Sequence, residues 1–300
     1  METVEVEHIS KSFGSTHAVE DISFGVHRGA IFGLLGPNGA GKTTTIRMLL
    51  NIFKPDSGTI SVLDGPMTEE KKSRIGYMPE ERGLYLDISL ERCLLYLASL
   101  KGIPEQQARA RLAEHLERFD LAEYKGKKIK ELSKGMQQKA QIIATILHQP
   151  ELIIIDEPFT ALDPLNVLLV KDLLRELHQQ GTTIIMSTHQ MHQVEELCDC
   201  ILLINKGRDV LHGRLDEIQQ RFTGHAVLVQ AEGDLPGIMG VREILPHNNA
   251  VKFILDDRTT PQDVFKALAA SDITLRKFEI AIPSLDEVFI RVVGEEEIYG

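Results

Sequence analysis

The chain has 300 residues, with 33 Lys and Arg against 44 Asp and Glu, for a net charge of −11. A hydrophobic fraction of 43% and a charged fraction of 26% fit a folded chain of about two domains and exclude a largely disordered one. The acidic balance argues against a general nucleic-acid binder, which needs a basic surface to neutralise phosphates. No apolar run reaches the roughly 18 residues of a membrane span. The best, residues 140–155, is broken by His148, Gln149, Pro150 and Glu151. The opening METVEVEHISK alternates acids without an apolar core, so a soluble chain without a secretion signal is expected. Cys93, Cys198 and Cys200 make no disulfide framework. Cys198 and Cys200 lack a second pair to complete a four-ligand metal site.

Taken in chain order, residues 1 to about 215 alternate short apolar runs with helical patterns, which predicts an α/β domain. Residues 30–35 read as a strand, 42–53 as the helix after it, and 74–78 as another strand. Helices follow at 89–101, 104–119 and 137–148. Residues 151–155 form a continuous apolar strand of the fully buried type. Then come a helix at 163–180, a strand at 182–187, a helix at 191–198 and a strand at 200–204. Near Phe222 the texture changes to strands at 226–231, 251–255 and 275–282 with helices at 261–270 and 285–292. This is a second, smaller α+β unit.

Gly36-Pro37-Asn38-Gly39-Ala40-Gly41-Lys42-Thr43 fits the phosphate-loop pattern, with a strand before and a helix after. Glycines let successive N–H groups turn inward on phosphate oxygens, and the helix start adds its positive dipole end. Lys42 can reach the β- and γ-phosphates, and the Thr43 hydroxyl can ligate Mg²⁺. A chance glycine-rich turn is the plain alternative. Asp156 and Glu157 end the apolar strand. Asp156 is placed to hold Mg²⁺, and Glu157 to polarise an attacking water, a role worth about 10²- to 10⁴-fold in rate. A solvated turn after a core strand is the plain alternative for the pair taken alone.

Leu132-Ser133-Lys134-Gly135-Met136-Gln137-Gln138-Lys139 lies just upstream of that pair. Here the sequence resembles the ATP-binding subunits of ABC transporters, whose signature reads LSGGQ. The likeness runs in order over residues 1 to about 215. Phe13 falls where these proteins stack an aromatic on adenine, and Val19 and Thr44 join the ATP-binding set. Ala161-Leu162-Asp163 matches the D-loop, and Ser187-Thr188-His189 the switch histidine. The resemblance implies a P-loop domain over 1–221, with a helical subdomain near 86–145, and a small C-terminal domain over 222–300. It implies ATP and Mg²⁺ as cofactors. Ser133, Lys134, Gly135 and Met136 would face the ATP of a second ATP-binding subunit, identical or homologous. His189 would contact the γ-phosphate, and a separate membrane permease would receive the work. The expected location is cytoplasmic, peripheral at the inner face of the cell membrane.

Three positions depart from the family. Lys134 replaces a glycine, Met136 a glutamine, and Glu80 stands where a metal-facing glutamine is usual. We expect Glu80 to take that metal-facing role. Leu84, Tyr85, Ile88 and Leu90 fall where such subunits receive the permease's coupling helix, although ordinary core packing explains them as well. Ile282-Pro283-Ser284-Leu285-Asp286-Glu287-Val288-Phe289 resembles the C-terminal domain of bacterial sodium- or drug-exporter ATPases, so export is expected over import. Two competing readings are weaker. Ribosome-acting members carry two ATPase units in one chain, and DNA-repair members carry long coiled coils or zinc cysteines. A scaffold without turnover would not need Glu157 and His189.

Overall fold

A computed structural model describes the chain except residues 82, 234, 248, 257 and 300, and gives only the backbone of 294–299. It divides into two compact units, Met1–Gly213 and Arg214–Gly300.

The first unit opens with β1 (Glu2–Phe13) and β2 (Thr16–His27), a long antiparallel hairpin. Val4, Val6 and Ile9 face the core. The odd spacing between Val6 and Ile9 marks a bulge, where His8 adopts φ 51°. That bulge breaks strict alternation, which is why the pattern hides a strand. The chain continues through β3 (Ile31–Leu35), α1 (Lys42–Leu49), β4 (Ser57–Val62), α2 (Glu69–Ser73) and β5 (Ile75–Met78). The helical part holds α3 (Leu90–Leu100), α4 (Glu105–Arg118) and α5 (Lys134–Ile146). Then follow β6 (Leu152–Asp156), α6 (Pro164–Gln179), β7 (Thr183–Thr188), α7 (Met191–Leu197), β8 (Cys200–Asn205) and β9 (Arg208–Arg214).

Two sheets result. β2, β1 and β4 form one, and the other runs β5-β6-β7-β3-β8-β9. From β5 to β8 neighbouring strands are parallel. β3, β6 and β7 are buried along their whole length, as a parallel sheet covered on both faces requires. Parallel strands deliver their following loops to one edge, where open α/β sheets bind ligands. That edge collects the loops after β3, β5, β6 and β7.

Some boundaries differ from expectation for local reasons. α1 stops at Leu49 rather than near residue 53, because Asn51 takes a left-handed φ of 54°. α5 starts at Lys134 rather than 137, because the Ser133 hydroxyl accepts the Met136 N–H at 3.2 Å.

The second unit contains α8 (Leu215–Arg221), β10 (Ala226–Glu232), β11 (Val241–His247), β12 (Ala250–Leu255), α9 (Pro261–Ala269), β13 (Thr274–Ile280) and α10 (Leu285–Tyr299). It starts at Arg214 rather than 222 because α8 belongs with it. Its antiparallel sheet runs β11-β12-β10-β13. Val227, Val229, Phe253 and Leu255 pack with Val264 and Leu268 of α9. β11 is a largely exposed edge strand containing Pro246, so no apolar alternation announces it.

His148 lies just past α5, with Nε2 3.1 Å from the Ile75 carbonyl. Burial and the nearby Lys101 cation push its pKa down to about 4. The neutral ring is what the fold accepts. Stability is therefore intact above the unfolded pKa near 6.5 and is lost as pH falls from there toward 4. Urea denaturation at pH 7.5 and 5.0 should show a loss of about 2 kcal/mol from this group. His148→Gln should reduce the pH slope by that amount; an unchanged slope refutes the assignment.

Candidate active site

The loop after β3 owes its shape to glycine. Gly36 has φ 144°, and a Cβ there would lie 2.1 Å from the Ile204 carbonyl oxygen. Gly41 has φ 113°, and its Cβ would lie 2.5 Å from the Ala18 oxygen. Neither position tolerates a side chain. Buried Lys42, the first residue of α1, donates from Nζ to the carbonyls of Gly36 at 2.8 Å and Pro37 at 3.1 Å. The loop is thus wrapped around its own ammonium. Burial lowers the Lys42 pKa, while Glu157, Asp156 and Glu80 pull it back up.

Asp156 and Glu157 are both buried. Thr43 Oγ1 donates to Asp156 Oδ2 at 2.9 Å, and Ser187 Oγ donates to Oδ1. Glu157 has φ 53°, a left-handed turn costing roughly 1–2 kcal/mol for a residue with a side chain. From this turn its carboxylate reaches the end of β7. There Oε1 accepts the His189 N–H at 3.0 Å and faces His189 Nδ1 at 2.7 Å. Oε2 accepts from Thr188 Oγ1 at 3.1 Å. His189 remains half exposed. The two acids therefore have separate partners, although both are bonded at the end of β7.

A cavity of about 300 Å³ opens over these groups, lined by Ala18, Asn38, Gly39, Gly41, Lys42, Thr43, Thr44, Glu80, Asp156 and Glu157. Glu80 reaches it from the loop after β5. Gly36, Pro37 and Ala40 shape the loop without lining the cavity. Val19 is fully buried beneath Gly41, whereas Ala18, which the sequence did not single out, lines the cavity. Phe13 is half exposed, edge-on to Phe53 at 5.3 Å, with Lys11 Nζ 5.7 Å from its centroid.

Ser133, Lys134, Gly135 and Met136 do not line the cavity. They start α5, with Ser133 and Lys134 exposed. A Cβ on Gly135 would lie 3.2 Å from the Ala161 carbonyl, so the signature abuts the D-loop of its own chain. Ala161 takes φ 63°, and Asp163 caps α6 by accepting the Asn166 N–H at 3.0 Å. Those Asn166 bonds hold the Asp163 carboxyl below the usual carboxylate range.

Residues 19–160 match the protein family described as ABC transporter. The chain is 41% identical over 292 residues to the uncharacterized ABC transporter ATP-binding protein YhaQ of Bacillus subtilis (strain 168), covering 96% of this chain and 98% of that protein. This chain belongs to the ATP-binding subunits of ABC transporters. Such a subunit binds ATP, hydrolyses it to power transport, and works with a membrane permease. Residues 213–293 match the family described as ATP-binding protein DrrA1-3-like, C-terminal domain. The linearmycin resistance ATP-binding protein LnrL of the same organism is 32% identical over 305 residues, covering 97% of this chain and 98% of that one. A solved ATP-binding subunit of an ABC transporter superposes with a TM-score of 0.70 and 34% identity, over 73% of this chain and 93% of its own. Among the described residues, no helix of this ABC subunit is long and apolar enough to cross a membrane.

The Ile204 contact makes a direct prediction for the loop. Gly36→Ala must push the loop off its path, and ATP affinity should fall by roughly tenfold or more, about 1.4 kcal/mol. Titration with a fluorescent nucleotide reads this. Unchanged affinity would mean the loop tolerates a side chain at that position.

Proposed function

We propose that this subunit closes with a second ATP-binding subunit around two ATP molecules and drives export of a small drug-like molecule through its permease. The observation carrying the reading is Glu157, buried, bonded by Thr188 and His189, and sharing a cavity with Lys42. In this reading the loop N–H groups from Asn38 to Thr44 hold the phosphates, on a path shaped by Gly36 and Pro37, and Lys42 leaves its own carbonyls for β- and γ-phosphate oxygens. Phe13 stacks on the base. Glu157 takes the proton of the attacking water, and His189 orients that water against the γ-phosphate. Ser133 and the Gly135 N–H serve the ATP held by the other subunit, where Lys134 adds a cation.

Thr43, Asp156 and Glu80 would hold Mg²⁺. The donor set fits: a hydroxyl and a carboxylate lie 2.9 Å apart, with a second carboxylate on the same cavity. Mg²⁺ takes few protein oxygens and fills its shell with water and phosphate. When bound it supplies positive charge to the phosphate oxygens. Export is supported by the match of residues 213–293 and by relatives with resistance names. LnrL is one, and the daunorubicin/doxorubicin resistance ATP-binding protein DrrA of Streptomyces peucetius, 31% identical over 306 residues, is another. The permease would hold the subunit at the inner face of the cell membrane.

Glu157→Gln keeps the shape of the base and removes its charge. Hydrolysis should fall by about 10²- to 10⁴-fold while ATP still binds. Phosphate release together with nucleotide titration separates the two effects. Hydrolysis at the parent rate would remove Glu157 from the proposed role.

A further inference from the structure

α5 begins with the signature and carries two buried glutamines one turn apart, Gln138 and Gln141. Residues three apart on a helix share a face. Gln138 Nε2 donates to the Pro158 carbonyl at 3.2 Å and reaches the Glu157 carbonyl at 3.5 Å. Gln141 Nε2 donates to the Pro79 carbonyl at 2.8 Å and reaches the Glu81 carbonyl at 3.5 Å. The two carbonyls held by Gln141 flank Glu80. One side-chain amide therefore fastens both sides of that residue to the signature helix.

Stability alone does not account for a glutamine at this position. With its N–H groups turned to the carbonyls, Oε1 of Gln141 is left buried without a hydrogen-bond partner. An unpaired buried acceptor costs folding free energy, and the opposite amide orientation would point oxygen at oxygen. An apolar side chain of similar size would remove that buried acceptor and leave the Pro79 and Glu81 carbonyls, which belong to a partly exposed loop, to water. What only the amide provides is the two-point grip on the loop.

We propose that Gln141 is a positioning residue. It fixes Glu80 at the cavity edge and ties the place of Glu80 to the place of the signature. The proposal rests on the reading of Glu80 as a ligand for Mg²⁺. A signature displaced by the partner's nucleotide would carry Glu80 with it, so each site would register the other.

The test uses the full chain with Glu157→Gln, so that bound ATP persists. Mn²⁺ uptake in the presence of ATP is followed by electron paramagnetic resonance of the free ion. Gln141→Leu should weaken Mn²⁺ binding by about 3- to 10-fold, or roughly 0.7–1.4 kcal/mol, with no fall in melting temperature. Should Gln141→Leu melt lower, Gln141→Met keeps the unbranched chain and serves in its place. Glu80→Ala should weaken Mn²⁺ binding at least as much. Adding Gln141→Leu to Glu80→Ala should cost nothing more, because residues acting through one group are not additive. Weaker binding in Glu80→Ala with parent-level binding in Gln141→Leu overturns the role of Gln141 and leaves Glu80 standing. Additive losses in the double variant overturn it too. Parent-level binding in Glu80→Ala overturns the reading of Glu80, and the role of Gln141 with it.

Discussion

One buried ammonium set among buried carboxylates organises this molecule. Lys42, Asp156 and Glu157 are each nine-tenths or more buried, and each has bonds that hold its charge in place. Such groups are stable inside a fold only when paired and hydrogen-bonded. The arrangement needs β3, β6 and β7 side by side, because β6 ends in both carboxylates, the end of β7 brings Ser187, Thr188 and His189 to bond them, and Lys42 opens the helix that follows β3. The core strands are therefore fixed by apolar burial along their length and by charge at their tips. Lys42 donates to the Gly36 and Pro37 carbonyls, so the loop is shaped around its own ammonium. Glu80, Asp156 and Glu157 line one cavity with carboxylates, so any anionic ligand there needs donors and a cation to balance it.

What the sequence revealed follows from how local each feature is. The loop from Gly36 to Lys42 was legible because its glycines answer to steric demands that leave few alternatives. β6 was legible because a strand buried on both faces reads as one apolar run. β1 was missed because the bulge at His8 puts Val6 and Ile9 out of phase. β11 was missed because an exposed edge strand has no apolar face to display. Asp156 and Glu157 were legible as a pair, but their separate partners were not. Those depend on the left-handed turn at Glu157 and on Ser187, Thr188 and His189 at the end of another strand. Ala18 and Gln141 were invisible for the same reason. Their partners, Gly41 and Pro79, lie far along the chain, and no spacing rule links them.

The two units differ in how they are built. The first sets chemistry at the ends of parallel strands. The second is an antiparallel sheet with a small apolar core shared with α9, a construction with no strand-end edge of that kind. The division agrees with the two family matches, one over residues 19–160 and the other over 213–293. The residues that line the cavity over the glycine-rich loop all lie in the first unit.

In the proposed cycle, nucleotide holds two ATP-binding subunits together. Light scattering on the Glu157→Gln chain reads it directly, with the chain alone and mixed with any homologous subunit of the same transporter. A single chain is expected without nucleotide, and a pair once ATP and Mg²⁺ are added. A chain saturated with ATP that stays single in both mixtures would contradict it.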